Sequence, residues 1–188
     1  MEIVQKTSFM KKLIIGLALI CGVGVGGWYY QTQVGEGIYE YSSSSDKQFI
    51  VNLFKENWYW LIHDYSKNFS TEFMLDNRAA SQTDSRTFGI LNIKAYRIKG
   101  EPVGFIAYYP GALYEGWILF LGVDKKFRSR GYARKLMQYA IDDLKKKGCR
   151  IIRLNTRTDN TAGRKLYESL GFKQDWTDGA YVIYVREA

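Results

Sequence analysis

Leu121-Gly122-Val123-Asp124-Lys125-Lys126-Phe127-Arg128-Ser129-Arg130-Gly131-Tyr132-Ala133 joins an apolar run to an amphipathic one through a basic loop. Ahead of it, Trp117–Val123 reads as a strand. Behind it, Ala133, Leu136, Met137, Ala140, Ile141 and Leu144 recur at helical spacing and predict a helix opened by Gly131. A helix start leaves backbone N–H groups unpaired at the positive end of the macrodipole, a ready place for phosphate. Gly131 lets backbone approach a ligand with no Cβ in the way, and small Ala133 keeps the first turn open. Arg128, Arg130 and Arg134 add charge suited to a pyrophosphate. Neither the Gly-Lys-Ser/Thr of a P-loop nor a G-x-G-x-x-G run accompanies them.

Working outward, Ile38–Tyr41 reads as a first strand. Ser45-Asp46-Lys47-Gln48 reads as a capping box, followed by Phe49, Ile50, Leu53, Phe54 and Leu61 at helical spacing. Trp58, Tyr59 and Trp60 on that stretch read either as core or as a wall facing substrate. A short helix is expected near Ser70–Asp76 and a polar loop over Ala79–Thr87. Ile90–Arg97 and Val103–Tyr109 read as strands joined through Lys99-Gly100-Glu101, and Pro110-Gly111 turns the chain again. Gly148 ends the central helix. Arg150–Thr156 is a strand, Thr161–Leu170 a helix stopped by Gly171, and Ala180–Arg186 a last strand. The expected fold is α/β: one mixed sheet with helices packed on it.

Composition narrows the chemistry. With 46% hydrophobic and 24% charged residues the chain has the makings of a packed core, which excludes wholesale disorder. Two cysteines, Cys21 and Cys149, and one histidine, His63, supply neither a disulfide framework nor a zinc set, and leave a Ser-His-Asp triad poorly provided. The net charge of +8 favours an anionic partner: nucleic acid, a phosphate-bearing cofactor or a membrane surface. Nucleic acid is the least favoured of these, because the basic residues crowd at one loop and helix and no RNA-binding aromatic motif is present.

Leu13–Tyr30 carries no charge and ends in Trp28-Tyr29-Tyr30. Eighteen residues at ~1.5 Å each reach about 27 Å, close to a bilayer's hydrocarbon thickness. The expected division is a basic tail over 1–12, a transmembrane helix over 13–30, a linker over 31–37 and a folded domain over 38–188. A cleaved signal peptide, with Lys11 and Lys12 as its basic region, and a buried or peripheral helix are the rival readings. The three lysines ahead of the run direct the domain outward by the positive-inside rule.

Arg128-x-x-Gly131-x-Ala133, then Asn160-x-Ala162, then Leu166-Tyr167-Glu168-x-Leu170-Gly171-Phe172 resembles the GCN5-related N-acetyltransferase (GNAT) superfamily. The resemblance is strong over Gly104–Phe172 and weaker over about 38–186, and does not reach the hydrophobic N-terminus. It implies a GNAT-like mixed sheet flanked by helices. It also implies acetyl-CoA as co-substrate, with no metal and no covalent enzyme intermediate. By the same resemblance, backbone amides over Arg128, Ser129, Arg130, Gly131, Tyr132, Ala133 and Arg134 wrap the pyrophosphate. The strand at Leu121, Gly122 and Val123 bulges, splays from Arg150–Thr156 and pairs with the pantetheine arm. Asn160 hydrogen-bonds that arm, and Tyr167 protonates the departing thiolate. The family's usual glutamate base falls on Trp117, which takes no proton. Glu115 is the nearest substitute, with Asp124, a water chain, Tyr108 or Tyr109 as other routes.

The implied activity is N-acyl transfer to an amine, small-molecule or protein, by direct attack on the thioester. The alternative is a catalytically weak module that binds acetyl-CoA or another protein. An intracellular cofactor sets a cytosolic, membrane-held domain against the outward direction of the lysines. The cytosolic reading is adopted, with export after signal cleavage as the alternative.

Overall fold

The computed structural model describes residues 35–62, 69–79 and 90–188. The chain divides into two compact units, Met1–Glu36 with Ile98–Gly100, and Gly37–Arg97 with Glu101–Ala188. Of the first, residues 35, 36 and 98–100 are described, and Lys99 and Gly100 both take positive φ. The basic tail and the expected transmembrane helix over 13–30 lie outside the described residues, as do 80–87 of the expected polar loop. Among the described residues no helix is long and apolar enough to cross a membrane.

The second unit holds β1 (Gly37–Glu40), α1 (Ser43–Glu56), α2 (Trp58–Leu61), α3 (Thr71–Asn77), β2 (Asn92–Ile98, all but its last residue), β3 (Glu101–Pro110) and β4 (Glu115–Val123). A 3-10 turn (Lys125–Phe127), α4 (Tyr132–Lys146), β5 (Ile151–Arg157), α5 (Thr161–Ser169), β6 (Lys173–Asp178) and β7 (Tyr181–Glu187) follow. The sheet has seven strands in the order β1-β2-β3-β4-β5-β7-β6, with β4 and β5 the parallel pair and β3/β4, β5/β7 and β6/β7 antiparallel. This is the mixed α/β sheet expected.

One core fills the side carrying α1 and α3. Ile50, Leu53 and Phe54 of α1 and Met74 and Leu75 of α3 pack with Ile93, Phe105, Ala107 and Tyr109 of the sheet. Leu136, Met137, Ala140, Ile141 and Leu144, five of the six residues expected on one face of α4, are buried; Ala133 is half-buried. A Cβ on Gly116 of β4 would come within 2.9 Å of Leu144, so that helix lies against the sheet at close range. β3 is buried along Val103–Tyr109, the signature of a strand covered on both faces.

Two expectations need correction. α1 begins at Ser43, not after Ser45, and Asp46 reaches back from inside the helix: its Oδ2 accepts from the Ser42 N–H at 2.8 Å. Asp46 is fully buried and is gripped by Arg97, whose Nη2 lies 2.7 Å from Oδ2 and whose Nε lies 3.1 Å from Oδ1. Ser42, the N-cap, makes no side-chain capping bond, so only the backward reach of a carboxylate remains of the expected capping box. β6 was not expected at all. Every residue in it is exposed, so it has no apolar alternation to betray it, as befits a polar edge strand. The Asp178-Gly179 pair that leads into the Gly179-Ala180 turn is its one legible signal.

Candidate active site

Parallel pairing between β4 and β5 runs from Glu115↔Ile151 to Ile118↔Leu154 and stops there. On its other edge β4 remains paired with β3 to Val123, with a register shift that places an extra residue, Leu119, between Ile118 and Phe120. The bulge therefore sits at Leu119, two residues before the stretch expected to carry it. Beyond it β4 leaves β5, and a cavity of about 710 Å³ opens there.

Four of the residues expected to be catalytic or cofactor-binding line this cavity: Glu115, Leu121, Asn160 and Tyr167. Asn160 caps α5, its Oδ1 accepting from the Gly163 N–H at 3.0 Å. Its Nδ2 donates to Thr156 Oγ1 at 2.9 Å, which leaves the second Nδ2 hydrogen for another acceptor. Tyr167 is buried, and burial pushes its phenol up to about 12 against an opposing hydrogen bond with Thr156. The hydroxyl is thus protonated throughout the neutral range. Thr156, itself buried on the cavity wall, links the two and was missed in the sequence, where a threonine on a strand carries no signal of its own.

Glu115 Oε1 accepts from Arg153 Nε at 3.1 Å, and Arg153 Nη1 donates to Asp175 at 2.7 Å. The candidate base is therefore part of an ion-pair chain across the sheet. Of the other proton routes, Tyr108 is turned away: its hydroxyl donates to Asp143 Oδ2 on α4 at 2.7 Å. Tyr109 lines the cavity, but burial and then the Glu115 charge raise its pKa, so it does not serve as a base near neutrality. Asp124 accepts from the Lys126 N–H at 2.8 Å and caps the 3-10 turn. Trp117 lines the cavity in the place expected for an acid.

Gly122, Val123 and Arg128–Arg134 do not line the cavity; they follow it at the end of β4 and the start of α4. Ser129 (φ 60°) and Gly131 (φ 83°) both adopt left-handed backbone in this loop. Successive turns of this kind gather N–H groups into a concave anion-binding nest. A Cβ on Gly131 would meet no atom within 4 Å, so the cost of a side chain there is backbone strain and intrusion on the loop's open side. Gly122 is different: a Cβ would fall 2.5 Å from Leu53 Cδ2, so this glycine admits α1 to the sheet. Two of the three arginines are engaged within the protein. Arg128 donates to the Val123 carbonyl (3.1 Å) and Asn57 Oδ1 (2.8 Å), and Arg134 to Ser169 Oγ (2.6 Å). Arg130 stands over the Phe127 ring at 5.5 Å.

The aromatic trio is not core. Trp58, Tyr59 and Trp60 are 45%, 49% and 46% exposed, and Trp60 forms part of the cavity wall. α2 is fastened across the site: the Tyr59 hydroxyl donates to Asp159 Oδ2 at 2.8 Å, and its carbonyl accepts from Arg157 Nε at 2.6 Å.

The mixed sheet thus parts between its central parallel strands, beside the left-handed turns at Ser129 and Gly131. Residues 49–172 match the model of the Acetyltransferase (GNAT) family, and the chain belongs to that family. It is 40% identical over 62 residues to N-alpha-acetyltransferase 30 of Schizosaccharomyces pombe, covering 33% of this chain and 41% of that one. It is likewise 40% identical over 60 residues to the [ribosomal protein bS18]-alanine N-acetyltransferase of Haemophilus ducreyi, covering 32% and 41%. The chain thus spans about two-fifths of the length of these curated relatives. Among solved structures, the PaiA N-acetyltransferase of Thermoplasma acidophilum in complex with coenzyme A shares the fold. The TM-score is 0.66 at 21% identity, over 82% of this chain and all of that one.

Proposed function

We propose that this chain is an N-acyltransferase that moves an acetyl group from acetyl-CoA to an amine. The observation that carries the reading is the parting of β4 from β5 after Ile118 and Leu154, with Asn160, Thr156 and Tyr167 on the wall of the resulting cavity. The residues fit the donor. The β5-facing edge of β4 beyond Ile118 offers backbone groups to an extended thioester arm, and the Ser129–Gly131 loop offers N–H groups to a pyrophosphate.

In the reaction, the nitrogen lone pair attacks the thioester carbonyl carbon. The N–C bond forms, the C–S bond breaks, and the proton shed by nitrogen is balanced by one gained by sulfur. Thr156 accepts from Asn160, so its own hydroxyl hydrogen is left to hydrogen-bond Tyr167. The phenolic proton then remains available to the thiolate, and burial keeps it in place until needed. Backbone amides near the bulge at Leu119 supply the hydrogen bonds that steady the developing oxyanion. Glu115, the cavity-wall carboxylate next to Trp117, receives the amine proton directly or through water.

The amine-acetylating names of the relatives support this chemistry; the uncharged run over 13–30 supports a membrane-held enzyme, and an intracellular acetyl donor supports a cytosolic domain against the outward direction of the lysines. A second reading, acetyl-CoA binding without turnover, is favoured by one observation: Glu115 is already committed to Arg153. Calorimetry with acetyl-CoA on the wild-type chain and on Gly131→Glu, followed by thiol release with amines present, tests both. Binding lost in the variant together with amine-dependent thiol release is the expected result. No binding, or equal binding by both proteins, overturns the transferase reading; binding without turnover of any amine establishes the second.

A further inference from the structure

We infer that the acceptor is a primary amine carried on an apolar or aromatic body with a single cationic centre, and not a polycationic amine. This rests on the transferase reading and narrows it. The cavity walls built by α2, by the chain entering α3 and by β4 present Trp60, Leu61, Phe69, Trp117, Leu119 and Phe120. The apolar character continues to the rim, where Leu113 is 88% exposed and Trp60 46% exposed while both line the cavity. An exposed leucine and an exposed tryptophan lining one cavity mark a surface that an apolar group covers on arrival.

Charge argues in the same direction. Among the described residues lining the cavity, Glu115 is the one carboxylate, and it already accepts from Arg153. The wall also carries the Arg157 guanidinium, stacked 3.9 Å from the centre of the Tyr59 ring. A polyamine would leave its water for walls offering one shared carboxylate and an opposing positive charge, an uncompensated desolvation. A lone ammonium on an aromatic body needs one acceptor for its charge, finds ring faces for attraction, and buries its apolar part against the tryptophans.

The test uses the full chain with 2-phenylethylamine and spermidine as probes at matched ionic strength. Acetyl-CoA binding is first measured by calorimetry. Amine binding is then followed by tryptophan fluorescence, with and without CoA, and acetylation by thiol release. The expected result is binding and kcat/KM at least about tenfold better for 2-phenylethylamine than for spermidine. Trp60→Ala, at a half-exposed position, lowers the 2-phenylethylamine values by about tenfold and leaves those for spermidine within about twofold. Leu113→Glu, on the open rim, narrows the ratio. Equal or better binding of spermidine, or no saturable binding of 2-phenylethylamine to the CoA-loaded chain, overturns the inference while acetyl-CoA binding stands. Failure to bind acetyl-CoA overturns the transferase reading instead, and fluorescence still reports whether the cavity prefers the aromatic amine.

Discussion

Thr156 Oγ1 accepts from Asn160 Nδ2 at 2.9 Å, and the same hydroxyl pulls the Tyr167 pKa down against the larger upward push of burial, so one strand side chain acts on both the cap of α5 and the phenol two turns along the same helix. The strand that ends beside the cavity thereby sets the direction of the phenolic proton.

Thr156→Val keeps the shape of the side chain and removes the hydroxyl. The Tyr167 hydroxyl then loses its fixed direction, and kcat is expected to fall by about tenfold or more with little change in KM for acetyl-CoA. Stopped-flow and steady-state thiol release measure the split; an unchanged kcat would remove Thr156 from the proton path.

Tyr167→Phe is expected to lower kcat by about a hundredfold. In the difference absorbance spectrum between wild type and variant, the missing phenol titrates near 12, above the ordinary tyrosine range. The sign for stability follows. A folded-state value raised above about 10 gives a contribution fully present below pH ~10 and lost as pH rises through about 12. Alkaline unfolding curves of the two proteins should therefore converge toward high pH.

At Gly131 two substitutions separate strain from occlusion. Gly131→Ala introduces only an L side chain at φ 83°, where a Cβ meets no neighbour, and is expected to cost about 1–2 kcal/mol of stability. Gly131→Glu adds a carboxylate to an anion site and is expected to abolish acetyl-CoA binding with a similar loss of stability. Denaturant curves and calorimetry on both variants check this.

Asp46→Ala strips Arg97 of its buried partner and the Ser42 N–H of its acceptor. A loss of about 3–5 kcal/mol is expected, because a charge is left uncompensated. Urea unfolding measures it, with Lys47→Ala, whose exposed partner is Asp76, as a control expected within about 1 kcal/mol of wild type.

What was legible in the sequence is what local physics writes there. The apolar stripe of α4, the stops at Gly148 and Gly171 and the opening at Gly131 are periodicities and backbone requirements, and they fell where expected. The bulge was placed two residues late, because Leu119, Phe120 and Leu121 are alike as apolar strand residues and only the pairing with β3 distinguishes them. The start of α1 was misplaced because Asp46 answers to Arg97, 51 residues away. The commitments of Arg128 to Asn57 and of Glu115 to Arg153 are likewise tertiary. The outward turn of Trp58 and Tyr59 follows from the ties that Asp159 and Arg157 place on α2, and nothing in an aromatic run announces them.

The cleft between β4 and β5 exists because a hydrogen-bonded ladder ends, not because a lid has swung open. Its two jaws are strands of one sheet, each anchored on its far side by another strand: β3 holds β4, and β7 holds β5. Such a berth is held open by the sheet itself and asks little reorganisation of these two strands, so the ordering cost of binding falls on the ligand rather than on them.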